Sequence, residues 1–212
     1  MTTLANIRAK LNDDMGIATD GDTVPWTTSQ RNNAISDAYA DLWRAGVWKD
    51  AYQDITTADD TWTYALTSIR KLYRLEALDS SGRITGLPRG IVEPDGSGAG
   101  TYQVRLTTPI SSSLTLRVRG WAPYKSVFSG DADTDDLAAE HLRVPLAKAR
   151  AILWRMALAK FAKYGERQAI APEMNVTMEG ILALIASAER EYQDLTRMLA
   201  GLRPRAGITG KL

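Results

Sequence analysis

The chain holds one histidine, His141, and no cysteine. Thiolate nucleophiles, disulfides, Cys/His zinc sites and any mechanism needing two imidazoles are therefore outside its chemistry. His141 stands among Ala138, Ala139, Glu140 and Leu142, with no nucleophile-elbow sequence to serve, and is expected to be structural. Asp131, Asp133 and Asp135 have the spacing with which a calcium loop begins, but Asp136 replaces the turn glycine and Leu142 the bidentate glutamate. The acidic run is expected to open a helix instead, where the macrodipole favours negative charge. Gly96-Ser97-Gly98-Ala99-Gly100 has the glycines of a phosphate loop but leads into a strand at Thr101, so a hairpin loop is expected. Gly207-Ile208-Thr209-Gly210-Lys211 echoes the end of a nucleotide-binding loop without its glycine spacing or the hydroxyl residue after the lysine. No catalytic, metal-binding or cofactor-binding residue is expected, and no cofactor. The 25 acidic residues leave paired-carboxylate hydrolysis open, yet no segment marks out two of them.

The most suggestive local charge is basic. On a helical projection Lys148, Arg155, Lys160, Lys163 and Arg167 share a sector of roughly 140°, with Leu146, Leu153, Ala157, Phe161 and Tyr164 on another. Glu166 is the single acid between Arg143 and Arg167. Such a stripe can line a DNA channel or touch a duplex's phosphates without reading bases. It can equally be a solvated face, or pair with acids such as Asp131 to Asp136 of a neighbouring subunit.

The elements that carry these residues follow from period. Length, 212 residues, allows one large or two small domains with a real core, and 44% hydrophobic with 24% charged residues is ordinary globular composition. Lys and Arg total 26 against 25 Asp and Glu, so the net charge of +1 supplies no global field. Six Trp and eight Tyr against two Phe favour half-buried surfaces and interfaces. Met1 to Met15 carries charge throughout and lacks a signal-peptide core. The longest uncharged apolar stretch, Gly180 to Ala188, is far below the roughly 18 to 20 residues of a membrane span, so no membrane association is expected.

Leu4, Ile7 and Leu11 predict a first helix capped by Thr2 or Thr3 and stopped at Gly16. Thr27 and Gln30 have capping-box spacing, opening a second helix whose apolar face is Ile35, Tyr39 (or Ala38) and Leu42 beside Trp43, with Gly46 after its C-cap. From Val47 to about Tyr124 the period falls to two, and residues 62–66, 102–106 and 114–119 alternate as half-buried antiparallel strands. Asp59-Asp60, residues 79–82, 94–96 and 109–113 supply the turns. A short helix from about Asp135 and a long one from Pro145 to Tyr164 come next. The last helix, from Thr177 to about Leu202, carries a narrow seam including Ile181, Ile185, Tyr192, Leu195 and Leu199 that suits packing along one neighbouring helix. Arg203, Pro204, Arg205, Ile208, Lys211 and Leu212 belong to a basic tail expected to be extended.

The expected fold is α+β. A helical bundle from both chain ends (1–46 and 127–202) carries an inserted antiparallel β-sheet subdomain (47–126) and an extended C-terminal tail (203–212). This order of parts resembles the head-to-tail adaptor (connector, head completion) proteins of tailed bacteriophages. The resemblance rests on Trp26-Thr27-Thr28 opening the helix Asn33 to Trp43, the Tyr64-Ala65-Leu66 element, the Ala-rich helix Leu146 to Tyr164 and the last helix Ile181 to Leu202. The insert is longer than in smaller members of that family. The resemblance implies a structural, non-enzymatic virion protein, assembled in the host cytoplasm and placed at the neck. It implies a homo-oligomeric ring, usually dodecameric, between the portal protein and a stopper or tail-completion protein, around a channel for passing genomic DNA. It also assigns portal binding to Arg203 through Leu212. Independently, the seam, the surplus Trp and Tyr and the tail suggest a chain that completes its burial against copies and partners. The competing reading is a non-sequence-specific double-stranded DNA-binding module using Lys148, Arg155 and Lys163.

Overall fold

The computed structural model describes residues 1–17, 26–97, 101–164 and 177–201. They form a mixed α+β protein with four α-helices and two antiparallel sheets among the described residues. The described residues divide into two compact units, one built from residues 1–47 with those from Tyr124 to Gly201, the other from Trp48–Pro123. Expected boundaries at 46/47 and 126/127 thus fall at 47/48 and 123/124. The return comes earlier because Tyr124 and Phe128 already pack on the helical core.

In the helical unit, α1 (Leu4–Met15) buries Leu4, Ile7, Leu11 and Met15, and the Thr3 hydroxyl caps it by accepting from the Asn6 N–H at 3.3 Å. Helix α2 (Thr28–Arg44) opens on a complete capping box. The Gln30 N–H donates to Thr27 Oγ1 at 3.2 Å and the Thr27 N–H to Gln30 Oε1 at 2.9 Å. It ends where Gly46 turns to φ 81° and the Val47 N–H reaches back to the Leu42 carbonyl, 2.9 Å. Helix α3 (Arg143–Tyr164) has Pro145 as its third residue, where a missing N–H costs no helical bond. Helix α4 (Met178–Gly201) starts with Thr177 Oγ1 accepting from the Gly180 N–H at 3.1 Å. Helix α3 packs on α1, α2 and α4, and it is buried around most of its circumference, with Val144, Ala147, Ala149, Ala151, Leu153, Trp154, Ala157 and Phe161 all covered. Small alanines permit this close approach, while each buried Leu or Phe adds about 1.5–3 kcal/mol of transfer free energy.

Two expectations fail in this unit. Asp133 to Asp136 open no helix; a single 3-10 turn, Ala139–His141, precedes α3. Their carboxylates are instead spent on Ser129 and Lys125 (Asp133), the Lys125 N–H (Asp136) and the distant Thr2 and Tyr39 (Asp135), which outweighs the modest macrodipole gain of a short helix. Nor are the tryptophans all at surfaces. Trp26 is fully buried, donates Nε1–H to the Leu153 carbonyl at 2.8 Å and meets Trp154 edge-to-face with ring centres 5.0 Å apart.

The inserted unit is two sheets and not one. The first runs in the order β1 (Lys49–Thr56), β7 (Thr115–Ala122), β3 (Lys71–Leu78), β4 (Ile84–Gly86). The second runs β2 (Thr63–Leu66), β6 (Tyr102–Leu106), β5 (Gly90–Pro94). Tyr64, Leu66, Ile69, Leu75, Val104, Leu106, Leu116 and Val118 form their shared core. Strand β7 alternates without a fault, burying Leu116, Val118, Gly120 and Ala122. Gly120 has no room for a side chain, since a Cβ there would lie 2.2 Å from the Lys71 carbonyl oxygen. Gln53 on β1 ties the sheets together, donating to the Ala65 carbonyl at 3.1 Å and accepting from the Thr67 N–H at 3.0 Å.

Candidate functional site

The candidate functional surfaces are those that carry charge or apolar area. The expected seam of α4 does pack within the chain. Ile181 and Tyr192 are buried in the helical core, and Ile185, Leu195 and Leu199 are half-buried against it. The apolar arc of α4 is wider than that seam, however. Met178, the first residue of the expected seam, is exposed, and so are Leu182 on one flank and Leu184 and Met198 on the other.

The basic stripe of α3 is engaged by its own chain. Lys148 Nζ lies 3.1 Å from Asp41 Oδ2 on α2 and 3.6 Å from Glu189 Oε1 on α4, above the Tyr192 ring at 5.0 Å. Arg155 reaches the same Glu189 oxygen at 2.9 Å. Arg143 and Arg150 both pair with Glu191, and Arg150 also lies 4.0 Å from Asp14. Lys160 is half-buried and also engaged. Lys163 belongs to α3, but its side chain, like all of Arg167, lies outside the described residues. The acids that answer Lys148 and Arg155 are Asp41 and Glu189 of the same chain, in place of the solvated face or the pairing with a neighbour's Asp131 to Asp136 that the sequence left open. Burial, then the charge and hydrogen bond of Asp41, push the Tyr192 hydroxyl above its ordinary pKa.

The acidic segment works as a clamp on the start of the chain. Arg8 is buried and holds Asp131 with both guanidinium nitrogens, at 2.7 and 3.0 Å. Asp135 is buried, accepts from the Thr2 N–H at 2.6 Å on Oδ1 and from the Tyr39 hydroxyl at 2.7 Å on Oδ2. Burial first, then this hydrogen bond, raises the Tyr39 pKa. Asp133 accepts from the Ser129 N–H at 2.5 Å and from its hydroxyl at 2.8 Å, with Lys125 at 3.2 Å, which pushes its carboxyl down to about 2. The three carboxylates of the supposed calcium loop therefore face three different partners. His141 is half-exposed, 3.5 Å from Glu140 Oε1.

A further surface is the solvent face of the four-stranded sheet, of which the alternation of residues 114–119 marks only the outward Arg117 and Arg119. Arg117 makes two 2.7 Å bonds to Asp54, whose carboxyl the guanidinium holds below its usual pKa. Buried Glu76 is paired with Arg74 at 2.8 Å and Arg119 at 3.1 Å. Trp121 lies between Trp48 and Tyr73, with ring centres 6.2 and 5.2 Å away. The Tyr73 hydroxyl, bonded to Asp50 at 2.5 Å, is pushed up to about 12, burial being the larger cause. The signal that could have found this face is the Asp50, Tyr52, Asp54 series at every second position of β1, hidden because inward Ala51 is small and inward Gln53 is polar.

Gly96 turns at φ 77° in the connection between β5 and β6, as a hairpin loop requires, while residues 98–100 lie outside the described part. The tail residues Arg203, Pro204, Arg205, Ile208, Lys211 and Leu212 also lie outside it. No helix among the described residues is long and apolar enough to cross a membrane. Comparison of the chain with protein-family models and with curated proteins gives no match.

Proposed function

We propose that this protein is a structural component of a tailed-phage virion, a head-to-tail adaptor that forms a ring between the portal and a stopper or tail protein, around the DNA channel. In this reading the helices of both chain ends make a bundle, the β unit is its insertion, and Arg203 through Leu212 extend to dock on the portal. The observation that carries it is the unfinished apolar arc of α4. Met178, Leu182, Leu184 and Met198 are 41, 49, 39 and 67% exposed. Four large apolar side chains along one helix favour covering by a copy or partner. The order of parts described above supports the same reading.

The rival, a duplex-binding module, gains no support from the basic helix. Lys148 and Arg155 already face carboxylates within the chain, so binding phosphates through them would break existing ion pairs. Removal of residues 203–212 tests the proposal. The truncated chain is expected to keep its fold by circular dichroism and to lose co-sedimentation with portal rings. Co-sedimentation at full strength would remove the assigned role of the tail.

A further inference from the structure

An open sheet edge leaves backbone groups unpaired and is a ready surface for another chain. The β unit has two such sides. On one, β1 and β2 are edge strands joined through Gln53. On the other, β4 and β5 are edge strands joined directly by residues 87–89.

The two sides are opposite in chemistry. The β1/β2 side exposes Tyr52 at 63% and Trp62 at 49%; Arg117 and Arg119 lie over the Tyr52 ring at 5.0 and 5.9 Å, each already paired with a carboxylate, Asp54 and Glu76. Its acids are Asp50, Asp54, Asp59 and Asp60. Asp54 is answered by Arg117, but Asp59 is held only by Ser112 N–H and hydroxyl bonds, at 2.7 and 3.0 Å, and keeps its charge. The β4/β5 side exposes Ile84 at 50%, Leu87 at 63% and Ile91 at 51%. Arg83 and Arg89 flank them and are exposed, with no carboxylate in ion-pair range among the described residues. Arg105 and Glu93 cancel there at 3.3 Å; Asp79, held by the N–H groups of Ser81 and Arg83, each at 2.9 Å, keeps its charge like Asp59, so Arg83 and Arg89 leave this side an excess of one positive charge.

We infer that the β unit is itself a head-to-tail contact between copies of this chain: the acidic, aromatic β1/β2 side of one copy docks on the basic, aliphatic β4/β5 side of the next. Apolar area meets apolar area, and Arg83 and Arg89 meet Asp59 and Asp60, which also fixes the direction of docking. Because the two patches differ and lie on opposite sides of one unit, the contact is heterologous, the type that propagates and closes into a ring when the rotation allows. This rests on the ring reading above and gives the insertion its role.

The absence of native cysteine makes a direct test simple. A chain carrying both Tyr52→Cys and Leu87→Cys, treated with a short bismaleimide under conditions where the wild type assembles, is expected to give a covalent ladder extending to the full ring. Either substitution alone is expected to give no ladder and no cross-linked pair. Arg83→Glu with Arg89→Glu is expected to raise the concentration for half-assembly about tenfold or more. A full-mass ring that yields no ladder, or cross-linked pairs from a single-cysteine chain, overturns the inference and leaves the ring intact. A wild-type chain that stays monomeric with and without portal rings removes the ring reading, and this inference with it.

Discussion

Replacing Lys148 by methionine keeps the stem over Tyr192 and deletes only the charge between Asp41 and Glu189. At 3.1 and 3.6 Å the gross attraction to each carboxylate is roughly 5 kcal/mol at an effective dielectric of 20. Desolvation repays most of that. The side chains of Lys148, Asp41 and Glu189 are 18, 23 and 22% exposed, between the exposed pairs that give less than about 1 kcal/mol and the buried ones whose breaking costs about 3–5. Lys148→Met is therefore expected to destabilise the helical unit by about 1–3 kcal/mol, partly because two carboxylates are left facing each other's charge. Arg155 is 52% exposed at the same Glu189, so Arg155→Ala is expected to cost less than about 1 kcal/mol. Urea unfolding followed by helical circular dichroism measures both, and Lys148→Met in a Glu189→Gln background isolates the coupling. Equal, negligible effects of the two substitutions would refute the structural reading of the stripe. So would salt-dependent duplex binding lost equally in both, because that is what a phosphate-contacting face would do.

In the β unit, Gly120→Ala forces a Cβ against the Lys71 carbonyl oxygen and Ile69, and is expected to lower stability by about 1–3 kcal/mol or more, with loss of the β7–β3 pairing in hydrogen exchange. Tyr39→Phe removes the donor to buried Asp135 Oδ2, with an expected cost of about 1–3 kcal/mol in thermal or chemical unfolding. The raised Tyr39 pKa means its stabilisation is complete below the ordinary tyrosine value and lost as pH rises above it. Wild-type stability should fall by up to about 1.4 kcal/mol per pH unit above pH 10 from this group, a slope that Tyr39→Phe should reduce. At the acid end, Asp133 stabilises above the ordinary aspartate value of 3.8 and loses that contribution as pH falls towards about 2. An acid titration of Asp133→Asn should show that loss missing.

Local signals were legible in the sequence because their partners lie a few residues away. The Thr27–Gln30 box, the Gly46 stop, the Thr177 start and the alternation of β7 all depend on neighbours in the chain. What could not be read depends on distant partners. Asp135 looked like a helix opener because Thr2, 133 residues away in sequence, and Tyr39, 96 away, claim its oxygens only in the fold. The partners of the α3 stripe could not be named from the sequence because Asp41 stands on an earlier helix and Glu189 on a later one. Strand β3 escaped notice because its register slips between Leu72 and Arg74 and because charged Glu76 is buried by two arginines. The candidate docking sides of the β unit were hidden for the same reason, since only the sheet order assigns Tyr52 and Leu87 to opposite sides.

The central claim, that this chain works as a ring, is tested most directly by its mass in solution, measured for the wild-type chain alone and mixed with portal rings. The account predicts one closed species, a fixed multiple of 23.3 kDa, either alone or once the portal is present. A single-chain mass under both conditions would contradict it.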